Sequence, residues 1–158
     1  MKIVAMALTG VMLLIGAVDH AYEATEQAII KMLMDDNAYT RKNLKGKGDA
    51  LSKEGSLEFW SSGGLLNEVD PDATPQEFES FNINLKHITV ITLVPGQAAV
   101  AQYYSEGAMA PTTSAAVSNY RTRVTQVFVK EGGKWKVRAA HWSPIAGGAG
   151  TSQTAVID

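Results

Sequence analysis

Tyr120-Arg-Thr-Arg-Val-Thr-Gln-Val-Phe-Val-Lys-Glu-Gly-Gly-Lys-Trp-Lys-Val-Arg-Ala-Ala-His-Trp-Ser143 reads as two long strands joined by a tight turn. The turn is Glu131-Gly132-Gly133-Lys134, because paired glycines supply the positive φ of a two-residue hairpin without a Cβ clash. Val124, Val127, Phe128, Val129, Trp135 and Val137 are β-branched or aromatic, the side chains that suit a half-buried pleated surface. A sheet therefore occupies the C-terminal end of the chain.

Working back from the hairpin, residues 98–109 predict a strand interrupted by Gly107 and closed by Pro111, and residues 83–94 predict another that ends at the Pro95-Gly96 turn signal. Together with residues 118–130 and 134–143 these make four consecutive strands with short connections, for which an antiparallel meander is the economical topology. Helices precede the sheet. Ala24, Ala28, Ile29, Met32, Leu33, Asp36 and Tyr39 recur at three- and four-residue steps over residues 22–40, and the early acids Glu23 and Glu26 suit a helix N-terminus. Residues 49–54 predict a short second helix and residues 56–60 a short strand before the glycine turn at residues 61–64. Thr74 as cap, Pro75 at the first helical position and Glu77 three residues after the cap predict a further helix start. Helices segregated before an antiparallel sheet make an α+β domain whose sheet buries one face on them.

Composition bounds the rest. The 158 residues, 46% hydrophobic and 19% charged, suit a single globular core. A net charge of −2 gives no electrostatic footprint for nucleic acid, so no nucleic-acid partner is expected. The absence of cysteine excludes disulfides and thiolate chemistry. Lys2 followed by an uncharged apolar run over residues 3–18 has the shape of an export signal, although Asp19 and Ile15 make poor neighbours for a cut at Ala21 or Ala17. The expected organisation is a signal over residues 1–21, a domain over residues 22–145 and a flexible tail over residues 146–158, in a periplasmic or secreted protein. A membrane contact follows only if the N-terminal segment stays as an uncleaved anchor, and a buried core helix is the third reading of that segment.

The order of elements, with Gly133-Lys-Trp-Lys-Val137 and the His141-Trp-Ser143 ending, resembles the nuclear transport factor 2-like superfamily, in particular its SnoaL-like branch. The chain is also similar to the association domain of calcium/calmodulin-dependent protein kinase II. The resemblance spans roughly residues 22–144, and its most specific part is residues 123–135 with His141 and Ser143. It implies a strongly curved sheet wrapped around the first long helix, forming a cone with a pocket inside, and dimers through the sheet. It implies a small apolar or amphipathic ligand and no cofactor, in a fold that serves isomerases, dehydratases and hydrolases as well as non-catalytic binding and assembly domains. The kinase association domain binds carboxylates with pocket arginines; at the matching positions this chain carries Gln126 and Ser105, so that role does not transfer.

Strand alternation nominates the pocket lining. If Trp135 points inward, so do Val137, Ala139 and His141. Cross-strand pairing then adds Phe128, Gln126, Val124, Thr122 and Tyr120, and the preceding strand adds Ala99, Ala101, Tyr103 and Ser105. Tyr39, Phe59 and Trp60 complete an apolar, aromatic wall with a few polar groups, the general character of a small-molecule site. The expected ligand contacts are Tyr39, Trp60, Tyr103, Ser105, Thr122, Gln126 and Trp135. His141 is the candidate proton carrier because its ordinary pKa lies near neutrality, with a core histidine satisfied by Ser143 and a plain ligand contact as the other readings. No spacing among the histidines resembles a metal site. Inward acids are scarce: the long strands carry only Glu106 and Glu131, while Asp35, Asp36, Glu68, Asp70 and Asp72 lie on the helix or in a loop. Arg121, Arg123 and Arg138 suit an outer sheet face or a dimer interface. No phosphate-binding loop or serine triad is present.

Overall fold

The computed structural model describes residues 4–152, with side chains from Asp19 onward. Seven elements follow one another: α1 (Val4–Asn43), β1 (Ser56–Phe59), β2 (Asn67–Val69), β3 (Phe78–Val94), β4 (Ala98–Pro111), β5 (Val117–Glu131) and β6 (Lys134–Pro144). The six strands form a single sheet in the order β2-β1-β6-β5-β4-β3. The expected meander is β3 to β6, antiparallel throughout. The complete sheet is mixed, because β1 runs parallel to β6 and antiparallel to β2.

The glycine hairpin turns as its sequence requires, with φ of 55° at Gly132 and 80° at Gly133. Register shifts in β3–β4, β4–β5 and β5–β6 mark bulges, each of which bends its strand and tightens the local twist. At the β4 bulge Gly107 has φ 149°, and a Cβ there would fall 1.9 Å from the Asn82 carbonyl oxygen, so only glycine fits. The sheet lays one face against α1, which meets β3 and β4.

Ile29 and Leu33 of α1 pack with Ala99, Ala101, Tyr103, Val124 and Phe128, and Trp135, Val137 and Trp142 close around them. Ile83, Met109, Val117 and Tyr120 form a second cluster. Hydrogen bonds tie the C-terminal half of the helix to the sheet at two points: the Gly96 N–H in the β3–β4 turn donates to Thr25 Oγ1 at 2.8 Å, and Asn37 Nδ2 donates to the Ile83 carbonyl at 3.1 Å. Leu44, at φ 52°, ends α1 just after the basic residues Arg41 and Lys42, which suit the negative end of the helix dipole.

Two expectations are corrected. Residues 49–54 form no helix: Ser52 N–H donates to the Val137 carbonyl and Val137 N–H to that of Ala50, both at 2.9 Å, so residues 50–52 run along the part of the β6 edge that β1 leaves open, and Lys53 and Glu54 then turn toward β1. The Glu131 carboxylate fastens this strap by accepting from Ser52 Oγ and Lys53 N–H. A single helical turn, with its costly nucleus, offers less than a waiting sheet edge. The capped helix after Thr74 does not form either. Gly46 N–H donates to the Gln76 carbonyl and Phe78 N–H to that of Leu44, which draws residues 76–78 into extended pairing that runs straight into β3. The segment from Ile145 to Thr151 returns to the sheet. Ala149 bridges Tyr120, and Thr151 N–H donates to Ser61 Oγ. Residues 153–158 lie outside the described residues, as do the side chains of the apolar run assigned to export. Among the described residues no helix is long and apolar enough to cross a membrane.

Candidate functional site

The helix-bearing face is built from paired rows. Ala99, Ala101, Tyr103 and Ser105 of β4 lie opposite Phe128, Gln126, Val124 and Thr122 of β5, and all eight are buried. The Tyr103 hydroxyl donates to Gln126 Oε1 at 2.7 Å. Burial pushes the Tyr103 phenol well above its ordinary pKa, and neighbouring Tyr120 adds to the shift, so it stays a neutral donor. Thr122 is completely buried, and its Oγ1 has no hydrogen-bond partner among the described residues. Five of the nominated residues, Tyr103, Ser105, Thr122, Gln126 and Trp135, thus share this face, with Trp142 beside them.

β6 breaks the alternation. Val127 pairs with Ala139 but Phe128 pairs with Val137, so Arg138 is an extra residue. Trp135 and Val137 face the helix before the bulge; Ala140 and Trp142 do so after it. Ala139 and His141, expected to point inward, therefore point outward. His141 is exposed and stands against Phe59, with ring centroids 5.5 Å apart and planes at 60°. Ser143 is not its partner, because Ser143 Oγ accepts from Arg123 Nε at 2.8 Å. The inward place assigned to His141 is corrected by one inserted residue.

Tyr39 and Trp60 also stand apart from the buried rows, at 40% and 43% exposure. The Trp60 indole N–H nevertheless leads to a residue that sequence reasoning missed: it donates to Glu58 Oε2 at 2.8 Å. Glu58 is only 8% exposed and lies on the inner face beside Ala140. β1 carries its polar residues Ser56 and Glu58 inward and its apolar Leu57 and Phe59 outward. The usual rule, apolar side in, conceals this strand. Its one legible signal is period-two alternation in a segment next to glycine turns.

Four other acids named from the sequence are engaged elsewhere. Glu106 is held below the ordinary carboxylate range by its hydrogen bond from Lys86, and Glu131 by the Lys53 N–H and Ser52 hydroxyl of the strap. Asp36 pairs with Lys47 and Asp35 with Lys31. On the outer side of the sheet a depression of about 450 Å³ is lined by Asn84, Lys86, Glu106, Ser118, Asn119 and Arg121. Among the described residues no group of three metal-ligating side chains converges.

No family model matches the sequence, and no curated protein matches it. Solved structures do. The chain is similar to an NTF2-like protein of unknown function from Pseudomonas putida, at 19% identity and a TM-score of 0.53 over 77% of this chain and 87% of that one. It is similar to a putative calcium/calmodulin-dependent kinase II association domain from Exiguobacterium sibiricum, at 18% identity and a TM-score of 0.53 over 75% and 92% of the two chains. The association domain of the C. elegans kinase aligns at 14% identity and a TM-score of 0.50 over 77% of this chain and 97% of that one. These likenesses show the fold: one helix packed on a curved sheet of six strands in the NTF2-like manner.

Proposed function

We propose that this chain is a small-molecule-binding domain of SnoaL-like type, which takes an apolar or amphipathic ligand against the helix-bearing face of its sheet. The observation that carries this reading is the set of hydrogen-bonding groups set into that apolar face. Thr122 Oγ1 and Ser56 Oγ are buried with no partner among the described residues, beside the Tyr103–Gln126 pair and the Glu58 carboxylate. Leaving a buried hydroxyl unmade costs about 1–3 kcal/mol, an arrangement that a ligand repays by supplying the missing partner. The lining is then Tyr103, Ser105, Thr122, Gln126, Trp135 and Trp142, with Trp60 at its rim. Binding rather than turnover is the supported activity, since His141 sits on the opposite face and, among the described residues, no acid–base pair is assembled around the buried rows.

The test is native mass spectrometry of the purified protein, followed by thermal-shift titration with whatever molecule is released. A bound mass that disappears in Thr122→Val supports the reading. Equal retention by wild type and by a Thr122→Val, Gln126→Leu double variant defeats it.

A second reading, self-association through the outer face, has its own observation. Leu57, Ala139, Val127, Val100 and Ile91 pair in turn across five strands, so an apolar stripe crosses the outer face with Leu57 39% and Ile91 50% exposed at its ends. Two of the similar structures are described as association domains. The two readings are compatible in a homodimer joined back to back. Sedimentation velocity should show a dimer that Val127→Asp converts to a monomer; a monomeric wild type removes this reading. The N-terminal run supports export as part of the same proposal, checked by N-terminal sequencing of the protein recovered outside the cytoplasm.

A further inference from the structure

Glu58 places a carboxylate on the inner face of β1 with no cation beside it among the described residues. A carboxylate is an acceptor-only group whose burial is expensive unless it is paired. Among the described residues it takes part in no ion pair; the seven that form all lie elsewhere. One of its oxygens accepts from the Trp60 indole; the other has no hydrogen-bond donor among the described residues and, unlike Ser56 Oγ, is not sealed from solvent. Two residues back on the same inward side of β1 is Ser56, 2% exposed, its Oγ unpartnered.

The register locates what lies beside these groups. Glu58 pairs with Ala140, and Ala140 pairs with Gln126. Two long polar side chains therefore flank a methyl group, with their backbones about 10 Å apart across the intervening strand. Gln126 Oε1 already accepts from Tyr103 and retains a second lone pair. The acceptors on the inner side of β1 are thus a carboxylate oxygen and a hydroxyl, with one negative charge between them, and Gln126 adds an amide oxygen two strands away. Phe128, Val137 and Trp142 supply the apolar surroundings.

Three acceptors and one negative charge match an ammonium group, which carries three donors and one positive charge. We propose that the inner face at Ala140 binds an amphipathic organic cation, a primary amine on an apolar tail, with Glu58 as its counter-ion. The inference rests on the ligand-binding reading above and adds the class of ligand. Neutral alcohols meet the hydrogen bonds but not the charge, and carboxylates meet repulsion.

The experiment titrates the full chain with hexylamine, hexan-1-ol and hexanoate at neutral pH and equal ionic strength, reading tryptophan fluorescence and melting temperature. Hexylamine should bind at least about tenfold more tightly than hexan-1-ol, and hexanoate more weakly than either. In Glu58→Gln the amine-over-alcohol ratio should collapse to within about threefold. Equal affinities for amine and alcohol in the wild type, or a preference that survives Glu58→Gln, overturn the proposal while leaving the ligand-binding reading standing. Failure of all three probes to bind overturns both. Should Glu58→Gln not fold, Ser56→Ala decides: a reduced amine preference supports the site, and an unchanged one overturns it.

Discussion

β5 and β6 are neighbours in one hairpin, yet they treat their side chains differently. From Tyr120 to Phe128 every second residue of β5 is buried, without a break. β6 begins in step, then inserts Arg138, and everything beyond changes sides. Regular alternation is a local property, fixed by the pleat. A bulge is a decision of the whole sheet, since it answers to the partner strand's register and to the curvature needed to follow α1. Side chains on β5 can be assigned to a face from sequence; those on β6 after Val137 cannot.

That contrast is most severely tested in the core. Phe128 is fully buried on the unbroken strand, and Phe128→Ala should cost about 3–5 kcal/mol in chemical denaturation. A loss below about 1 kcal/mol would mean that the face assignment of β5 is wrong. Next comes Tyr103→Phe, which leaves Gln126 Oε1 without its donor and should cost about 1–3 kcal/mol, with Gln126→Leu in the same background recovering part of the loss. If the loss in the double variant equals the sum of the two single losses, the two side chains are not coupled.

A smaller, local effect is expected at the strap on the β6 edge. Hydrogen bonds from Lys136 and then Lys134 hold Asp49 below the ordinary carboxylate range, as the Lys53 N–H and the Ser52 hydroxyl hold Glu131. Carboxylates with lowered pKa contribute stability that is whole above that range and lost as pH falls through the lowered values. Protection of the Ser52 and Val137 amides against hydrogen exchange should therefore fall on acidification before that of β5, and simultaneous loss would show that the strap has no separate stability. The smallest effect belongs to His141. On an exposed outer position, His141→Ala should change stability by no more than about 0.5 kcal/mol and leave ligand affinity unaltered. A large loss of binding would return His141 to the inner face and remove the Arg138 bulge.

Much of the fold was legible in advance. The glycine hairpin, the four long strands, the short strand at Ser56 and the amphipathic helix with Ile29 and Leu33 on its buried side all followed from residue types at fixed spacings. The capped helix after Thr74 misled because capping residues permit a helix without requiring one, and residues 76–78 had a better use pairing with the chain after α1. The site was legible only in part. Tyr103, Ser105, Thr122 and Gln126 came from simple alternation, whereas Glu58 was hidden by a strand that turns its polar side inward.

By itself the sequence determined which segments are extended, which is helical, where the chain turns, and which of two faces each residue of a regular strand shares. Those properties depend on neighbours a few positions away, through backbone sterics and the period of the pleat. Tertiary structure alone decided that β1 lies parallel to β6, that Arg138 is bulged, that the segment after Ile145 docks on Tyr120, and that Glu58 turns to the inner face with no counter-ion among the described residues. Each of these depends on hydrogen bonds between residues far apart in the chain, where competing partners differ by less free energy than local patterns can resolve.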